Sequence, residues 1–234
     1  MELLFDCANT ELIEKYLQIY PITGVTSNPS ILKAEGKIDA FERLREIRKI
    51  IGPDRTLHAQ VVAEDAKGMV EDAIAILNKV DENVYIKIPT TEEGLKAMQI
   101  LKSQDVNVTA TAIYTKIQGF MAIMAGADFI APYCNRMCSL DVDFEDTISA
   151  FRDMIDENEA DCTILAASFK NVDQVVRAYL AGAQAATVQP ALISSAFQMA
   201  AVKKAVDDFE EDWVSTQGDV TWADLAKKQD RKRK

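Results

Sequence analysis

The chain has 234 residues, 48% of them hydrophobic, and is long enough to bury the core of one globular domain. Its 26 basic and 37 acidic residues give a formal net charge of −11, which argues against a nucleic-acid partner because phosphates attract a basic face. Four scattered cysteines and a single histidine make a zinc site improbable and indicate reduced thiols.

Short apolar runs rich in β-branched residues alternate with longer amphipathic segments along the whole chain. This alternation is typical of repeated strand–helix units and a parallel sheet. Eight strands are predicted, at Leu3–Asp6, Gly24–Ser27, Leu57–Ala63, Val84–Ile88, Val106–Tyr114, Phe129–Tyr133, Cys162–Ser168 and Ala185–Val188. Eight such units predict an α/β fold, the TIM (β/α)8 barrel, with an additional helix at the C-terminus.

Several helix ends are marked by local sequence signals. Gly126 and Gly182 each follow a predicted helix and precede a strand, so we expect both to adopt the left-handed backbone conformation that ends helices. Thr90 and Glu93 have the spacing of a capping box, which predicts the start of the helix after the fourth strand.

The C-terminal part is predicted to be helical from Leu192 to about Val214. Residues 1–218 are expected to form a single barrel domain that includes these helices, and residues 219–234 a polar tail. The basic run Arg231–Lys234 resembles a nucleic-acid-binding arm, but its place at a chain end favours a solvated or disordered terminus. No apolar run has the length of a membrane span and no signal peptide is recognised, so we expect a cytoplasmic protein with no membrane partner.

Lys87 interrupts the apolar run that forms the fourth predicted strand. Side chains alternate across a strand, so Lys87 lies on the face opposite Ile86 and Ile88. The simplest interpretation is an edge-strand lysine whose ammonium group reaches solvent. Inside a barrel the amine would instead be buried, and burial favours its neutral, nucleophilic form.

Polar residues accumulate where the predicted strands end, which is where TIM barrels build their active sites. In strand order they are Asp6; Thr26, Ser27 and Asn28; Gln60; Lys87; Thr109 and Thr111; Tyr133, Asn135 and Arg136; and Ser168 and Lys170. Each also has a structural interpretation: Asp6 suits a helix cap, Arg136 a surface salt bridge, and Gln60 the core with its hydrogen bonds satisfied. The residues alone leave these alternatives open.

Four segments resemble the transaldolase family. They are Gly24–Ser30, Val84–Pro89, Ala131–Arg136 and Ala166–Lys170. The resemblance spans essentially the whole chain, and the short length is similar to that of the fructose-6-phosphate aldolase branch and the small transaldolases closest to it. It implies a barrel enzyme that forms a Schiff base on Lys87 and needs no cofactor and no metal.

Two positions distinguish the branches of this family. Transaldolases generally carry a glutamate on the third strand and a phenylalanine at the end of the sixth, whereas aldolase-type members carry glutamine and tyrosine. This chain has Gln60 and Tyr133. The resemblance therefore implies that Tyr133, Gln60 and Thr111 hold a water that transfers protons, with Asp6 as a further catalytic residue.

The substrate-binding residues are also implied by the resemblance. Thr26, Ser27 and Asn28 would bind the sugar, with Asn28 and Asp6 at the hydroxyls of the dihydroxyacetone portion. Arg136 and Ser168 are the candidates for the phosphate, because a guanidinium group offers paired donors to phosphate oxygens.

Three functions remain open from the sequence. The leading hypothesis is a class I aldolase acting on fructose 6-phosphate, and the alternative is a transaldolase that passes the same enamine to a second sugar phosphate. A non-catalytic sugar-phosphate-binding barrel is the remote alternative. Family resemblance also implies a homo-oligomer, either a pentamer or a decamer built from two pentamers.

Overall fold

The fold is a closed barrel of eight parallel strands in sequence order, and the predicted TIM barrel is confirmed. A computed structural model describes residues 1–232. The strands are β1 Glu2–Asp6, β2 Gly24–Thr26, β3 Thr56–Gln60, β4 Tyr85–Pro89, β5 Val108–Ile113, β6 Phe129–Pro132, β7 Thr163–Ala166 and β8 Ala185–Val188. Each strand pairs with the next, and β8 closes the barrel on β1.

Helices alternate with the strands along the chain and continue after β8, as expected for parallel strands that need crossover connections. They are α1 Thr10–Leu17, α2 Pro29–Ala34, α3 Ala40–Ile51, α4 Ala66–Lys79, α5 Glu92–Lys102, α6 Lys116–Met124, α7 Cys134–Ser139, α8 Phe144–Glu157, α9 Val172–Leu180, α10 Pro190–Ala196, α11 Ala200–Gln217 and α12 Trp222–Lys232. Within residues 1–232, none of these helices combines the length and the apolar character that a bilayer crossing requires.

The observed strands are shorter than predicted where apolar residues continue beyond the ladder. β3 ends at Gln60, because the backbone N–H groups of Val62 and Ala63 donate to the Asp72 carboxylate instead of a neighbouring strand. β7 ends at Ala166, and Ser168 adopts a left-handed φ of 62°, which is incompatible with a continuing strand.

The predicted helix ends are correct in part. Gly126 and Gly182 have φ values of 84° and 111°, so their left-handed conformation is confirmed. The capping box at Thr90 and Glu93 is wrong. Thr91 caps α5 by accepting the Gly94 N–H, while the Thr90 hydroxyl donates to the Thr111 carbonyl and Glu93 accepts the Ala66 N–H.

Each of the two faces of the barrel wall has its own apolar cluster. The larger cluster lies between strands and helices and includes Ile86 and Ile88, both fully buried. The smaller one, made of Leu4, Phe129, Leu165 and Ala185 with Tyr85 against it, fills the interior. Lys87 is two residues beyond Tyr85 on the same face, so it lies above this interior cluster, towards the carboxyl end of β4.

Close packing holds the end of the lysine strand in place. A Cβ atom at Gly94 on α5 would come within 1.9 Å of the carbonyl oxygen of Pro89, the last residue of β4. Any side chain at this position would therefore push the helix away from the strand that carries Lys87.

The chain divides into two compact units, Met1–Ile193 and Ser194–Lys234. The helix predicted from Leu192 onwards is interrupted, since α10 ends at Ala196 and α11 begins at Ala200. A third helix, α12, forms where the sequence predicts a polar tail, whereas Arg233 and Lys234 lie outside the described residues. The expected division into residues 1–218 and 219–234 stays a prediction.

The second unit has a small aromatic contact of its own. The rings of Trp213 and Trp222 lie 4.7 Å apart, and the Trp213 indole N–H donates to the Val220 carbonyl at 2.6 Å. These contacts join the end of α11 to the start of α12. The side chains of Val202, Val206 and Phe209 on α11 are exposed.

Candidate active site

Lys87 lies in the barrel interior at the carboxyl end of β4, and only 3% of its surface is exposed. It lines a cavity of about 630 Å³ at this end of the barrel. Among residues 1–232, Nζ has no hydrogen-bond partner and no ion-pair partner. Burial lowers the pKa of Lys87 and the nearby Asp6 carboxylate opposes that shift, so the neutral amine is more accessible than in a surface lysine.

Asp6 ends β1 and lines the same cavity. Its Oδ1 accepts a hydrogen bond from the Thr26 hydroxyl at 2.8 Å, and Thr26 is 2.7 Å from the Thr187 hydroxyl. Because Thr26 has one proton and gives it to Asp6, Thr187 must donate to Thr26. Burial raises the pKa of Asp6, while the Lys87 charge and the Thr26 hydrogen bond lower it.

Tyr133 begins the connection after β6, and its phenol points into the cavity. The Thr111 hydroxyl donates to the phenol oxygen at 3.0 Å, so the phenol proton is free to point elsewhere. Burial raises the pKa of Tyr133, which keeps it protonated at neutral pH. The buried Oε1 of Gln60, on the same cavity, has no hydrogen-bond partner among the described residues.

A cationic region lies on the cavity wall formed by the segments after β6 and β7. Arg136 of α7 donates to the Tyr114 hydroxyl at 3.1 Å, and its Cζ lies 5.0 Å from the centre of the Tyr133 ring. Ser168 is tied to the same segment, because its carbonyl accepts the Asn135 N–H at 2.8 Å. Lys170 also lines the cavity.

Seven of the ten predicted site residues line one cavity. They are Asp6, Asn28, Gln60, Lys87, Tyr133, Arg136 and Ser168. Asn28 also caps α2, since its side-chain oxygen accepts the Ile31 N–H at 3.0 Å, which leaves the amide NH₂ group available to a ligand.

The other three predicted residues do not line the cavity. Thr26 and Thr111 are fully buried and act on Asp6 and Tyr133 through the hydrogen bonds described above. Ser27 is also buried, and its hydroxyl donates to the His58 carbonyl at 3.3 Å. Successive residues point to opposite faces of a strand, so Ser27 is directed away from the interior that Thr26 faces.

Thr187 in β8 and Gln189 directly after it also line the cavity, and neither was predicted as a site residue. The strand itself was predicted correctly, at Ala185–Val188. Polar residues at the carboxyl ends of the other seven strands were predicted to form the site, and the same rule would have predicted these two.

Comparisons with known proteins identify the family of the chain. Residues 3–229 match the family model described as Transaldolase/Fructose-6-phosphate aldolase. The chain belongs to this family. A relative from Streptococcus pneumoniae, named "Probable fructose-6-phosphate aldolase", is 46% identical over 213 residues, which cover 91% of this chain and 96% of the relative. Membership in this family of enzymes, expected from the four motif segments, is confirmed.

Proposed function

We propose that the protein is a class I aldolase that reversibly cleaves fructose 6-phosphate to dihydroxyacetone and glyceraldehyde 3-phosphate. The observation that carries the proposal is the buried Lys87 amine, which faces a polar cavity beside Asp6 without a hydrogen-bond partner among residues 1–232. The name of the Streptococcus pneumoniae relative supports the same substrate.

Lys87 is the nucleophile in this proposal. Its neutral Nζ adds to the C2 carbonyl of the open-chain sugar, and loss of water gives an iminium ion. The C3–C4 bond then breaks, its electron pair moves towards the iminium nitrogen to form an enamine, and C4 leaves as the aldehyde carbon. The lowered pKa of Lys87 supports this role, because only the unprotonated amine can attack.

Proton transfer is assigned to a water held by Tyr133. The C4 hydroxyl must lose its proton as the aldehyde forms, and the enamine carbon must gain one before hydrolysis releases dihydroxyacetone and restores Lys87. The Tyr133 phenol, whose oxygen already accepts from Thr111, and the unpartnered Gln60 oxygen are suited to hold that water. Asp6 is assigned to the sugar hydroxyls beside Lys87.

Binding of the two halves of the sugar is assigned to different strands. Asn28, after β2, would donate its free amide N–H groups to hydroxyls of the dihydroxyacetone half. Arg136 and Ser168, after β6 and β7, would bind the phosphate of the aldehyde half, since guanidinium N–H groups match phosphate oxygens.

A transaldolase is the second candidate, because the matched family includes both activities. In that case the enamine on Lys87 waits for an acceptor such as erythrose 4-phosphate. The pair of Gln60 and Tyr133 favours release, since it supplies the water and the proton that end the reaction without an acceptor. Burying an amine costs free energy, and a barrel that only binds sugar phosphates would have no need of a buried amine.

Trapping of the Schiff base tests both enzymatic candidates. Incubation with dihydroxyacetone and borohydride should add one reduced adduct per chain, located on Lys87 by peptide mass spectrometry. The Lys87→Met variant should not be modified, and the Lys170→Met variant, altered at another lysine of the same cavity, should still be modified at Lys87. If no adduct forms on Lys87 in the unaltered protein, both enzymatic proposals fail.

A second assay separates the two enzymes. We expect glyceraldehyde 3-phosphate to be released from fructose 6-phosphate with and without erythrose 4-phosphate. Absolute dependence on the acceptor would make the protein a transaldolase.

The cellular setting is also a proposal. All four cysteines are free thiols, which supports a reducing compartment such as the cytoplasm. The exposed apolar residues Val202, Val206 and Phe209 of α11 support the expected homo-oligomer, and the pentamer or decamer stays a prediction.

A further inference from the structure

We infer that Tyr114 is a positioning residue that selects for a phosphorylated aldehyde by fixing the Arg136 guanidinium group, while its ring supports the ring of Tyr133. The inference rests on the proposed function, which assigns the phosphate to Arg136 and proton transfer to Tyr133. It concerns a residue that follows β5 and that does not line the cavity.

Three side chains form a closed triangle at the cavity wall. The Tyr114 hydroxyl accepts a hydrogen bond from Arg136 Nη1 at 3.1 Å. The Tyr114 ring meets the Tyr133 ring edge-to-face, with centroids 5.6 Å apart and planes at 65°. Arg136 closes the triangle over the face of the Tyr133 ring, at 5.0 Å. Each member thus contacts the other two, and Tyr114 touches both groups that the proposed reaction uses.

The backbone holds Tyr114 firmly in this position. Register in the β5–β6 ladder shifts between Ala110 and Ile113, and the intervening Ala112 has a left-handed φ of 57°. Immediately after this irregularity the Tyr114 N–H donates to Gln118 Oε1 at 2.9 Å, an atom that also accepts the N–H of Thr115. Tyr114 is therefore anchored to both β5 and the first turn of α6.

Arg136 needs such an anchor because its only other contact in the triangle is the non-directional one with the face of the Tyr133 ring. Its side chain is exposed, and among residues 1–232 it has no ion pair and no other hydrogen bond. A guanidinium group has five N–H donors, so the bond to Tyr114 uses one and leaves the rest for a phosphate. Fixing a long, mobile side chain before the ligand arrives lowers the entropy lost on binding.

The hydrogen bond and the ring contact can be removed separately. Tyr114→Phe keeps the ring and deletes the hydroxyl, so it should weaken only the phosphate site. We expect kcat/KM for addition of dihydroxyacetone to glyceraldehyde 3-phosphate to fall about tenfold, the effect of losing roughly one hydrogen bond to a charged group. The same constant for unphosphorylated glyceraldehyde should stay within about twofold, because the ring that supports Tyr133 remains.

Tyr114→Leu removes the ring as well. In this variant we expect kcat to fall for both aldehydes, because the support of Tyr133 is lost together with the anchor of Arg136. Tyr179→Phe is the matched control: it deletes a phenol hydroxyl that donates to the Glu2 carbonyl, at the amino end of β1 and thus at the opposite end of the barrel. It should leave the preference between the two aldehydes unchanged.

A binding measurement makes the inference testable without turnover. In the Lys87→Met background, titration calorimetry with glyceraldehyde 3-phosphate should give a dissociation constant about tenfold weaker after Tyr114→Phe, in proportion to the same hydrogen bond. An unchanged dissociation constant overturns the inference even if the protein proves to be inactive. Equal losses of kcat/KM for both aldehydes in Tyr114→Phe would also overturn it, since the role would then be structural. Failure of the proposed function shows itself separately, as the absence of a borohydride adduct on Lys87.

Discussion

The barrel interior has two successive layers of side chains on the same strands: a lower layer at His58 and Tyr85, and an upper layer at Gln60 and Lys87. The two layers differ in whether their polar groups are hydrogen-bonded within the protein. In the lower layer His58 is stacked on Tyr85 at 4.8 Å and packs edge-on against Phe129, and its ring nitrogens lie 2.8 Å from the Thr109 hydroxyl and 3.0 Å from the Thr56 hydroxyl. Every polar atom of that ring is satisfied by the protein.

Two residues further along the same strands, the upper layer leaves its polar groups available. Gln60 follows His58 on β3 and Lys87 follows Tyr85 on β4, and within residues 1–232 neither Gln60 Oε1 nor Lys87 Nζ has a hydrogen-bond partner. Buried polar groups are costly unless they are bonded. We therefore expect the lower layer to stabilise the barrel, and the upper layer to keep its unpaired polar groups available to a ligand.

Among variants that keep Lys87, the largest effect on activity is expected from Tyr133→Phe in the upper layer. Loss of the phenol removes the group to which we assign the proton-transferring water, so cleavage of fructose 6-phosphate should fall by about 10²- to 10⁴-fold. Transfer to erythrose 4-phosphate should fall less, because the acceptor replaces the proton at the enamine. Equal losses in the two assays would show that Tyr133 does not decide between release and transfer.

A smaller effect is expected from Thr26→Val. Thr26 is buried behind the cavity wall and contacts the upper layer through Asp6. Thr26 donates to Asp6 and lowers the pKa of that carboxyl, so the variant should raise this pKa further. Asp6 then takes up its proton at a higher pH, and the acidic limb of the kcat/KM profile should move to higher pH. At the pH optimum we expect about a tenfold loss, in keeping with one hydrogen bond to a charged group.

Thr147→Val is the matched control for that experiment. Thr147 is also buried, and its hydroxyl donates to the Asp143 carbonyl at the start of α8. The pH profile should stay unchanged in this variant. A fixed acidic limb in Thr26→Val itself would mean that Asp6 is not the group responsible for it.

The smallest effect on activity is expected in the lower layer. His58→Leu leaves the buried Thr109 hydroxyl and the partly buried Thr56 hydroxyl without their ring partner. It should lower the free energy of unfolding by about 1–3 kcal/mol, while kcat changes by no more than about twofold. Denaturant unfolding and steady-state kinetics measure the two quantities. A loss of kcat as large as that of Tyr133→Phe would contradict the division between the layers.

The same variant tests the charge state of His58. Burial, followed by the charges of Lys87 and Arg48, holds the pKa of His58 well below its usual value of 6.5. Below pH 6.5 the unfolded chain binds a proton that the folded chain does not, so the unaltered protein should lose stability as pH falls from about 7 to 5. The leucine variant lacks this loss, and its difference from the unaltered protein should therefore shrink at pH 5.

The sequence predicts the fold and the order of the strands better than the residues at which the strands end. All eight strands were predicted in the correct order, because apolar β-branched runs between amphipathic helices mark parallel strands clearly. Their bounds were less accurate: Val62 continues an apolar run, yet its N–H group bonds to Asp72, a choice made in three dimensions. The capping box failed similarly, since the partner of Glu93 is Ala66, on another helix.

For the candidate site, the sequence predicts which residues take part better than it predicts where their side chains point. Alternation along a strand explains why Asp6 and Lys87 share one cavity. Ser27 was assigned to the substrate by its motif, although alternation alone directs it to the outer face. Tyr114 carried no signal, because its inferred role depends on contacts with Arg136 and Tyr133, which are distant in sequence and meet it only in the folded chain.

The left-handed backbone at Ser168 has a consequence for engineering. The lysine and Asp6 belong to the strand ladder, whereas Arg136 and Ser168 lie on segments outside it. Under the proposed function, a grafted segment after β7 should therefore change which aldehyde is accepted without altering the register of the barrel. Such a graft must keep a residue that tolerates a φ of 62°, so glycine, asparagine or serine are the practical choices, and β-branched residues at this position would distort the transplanted loop.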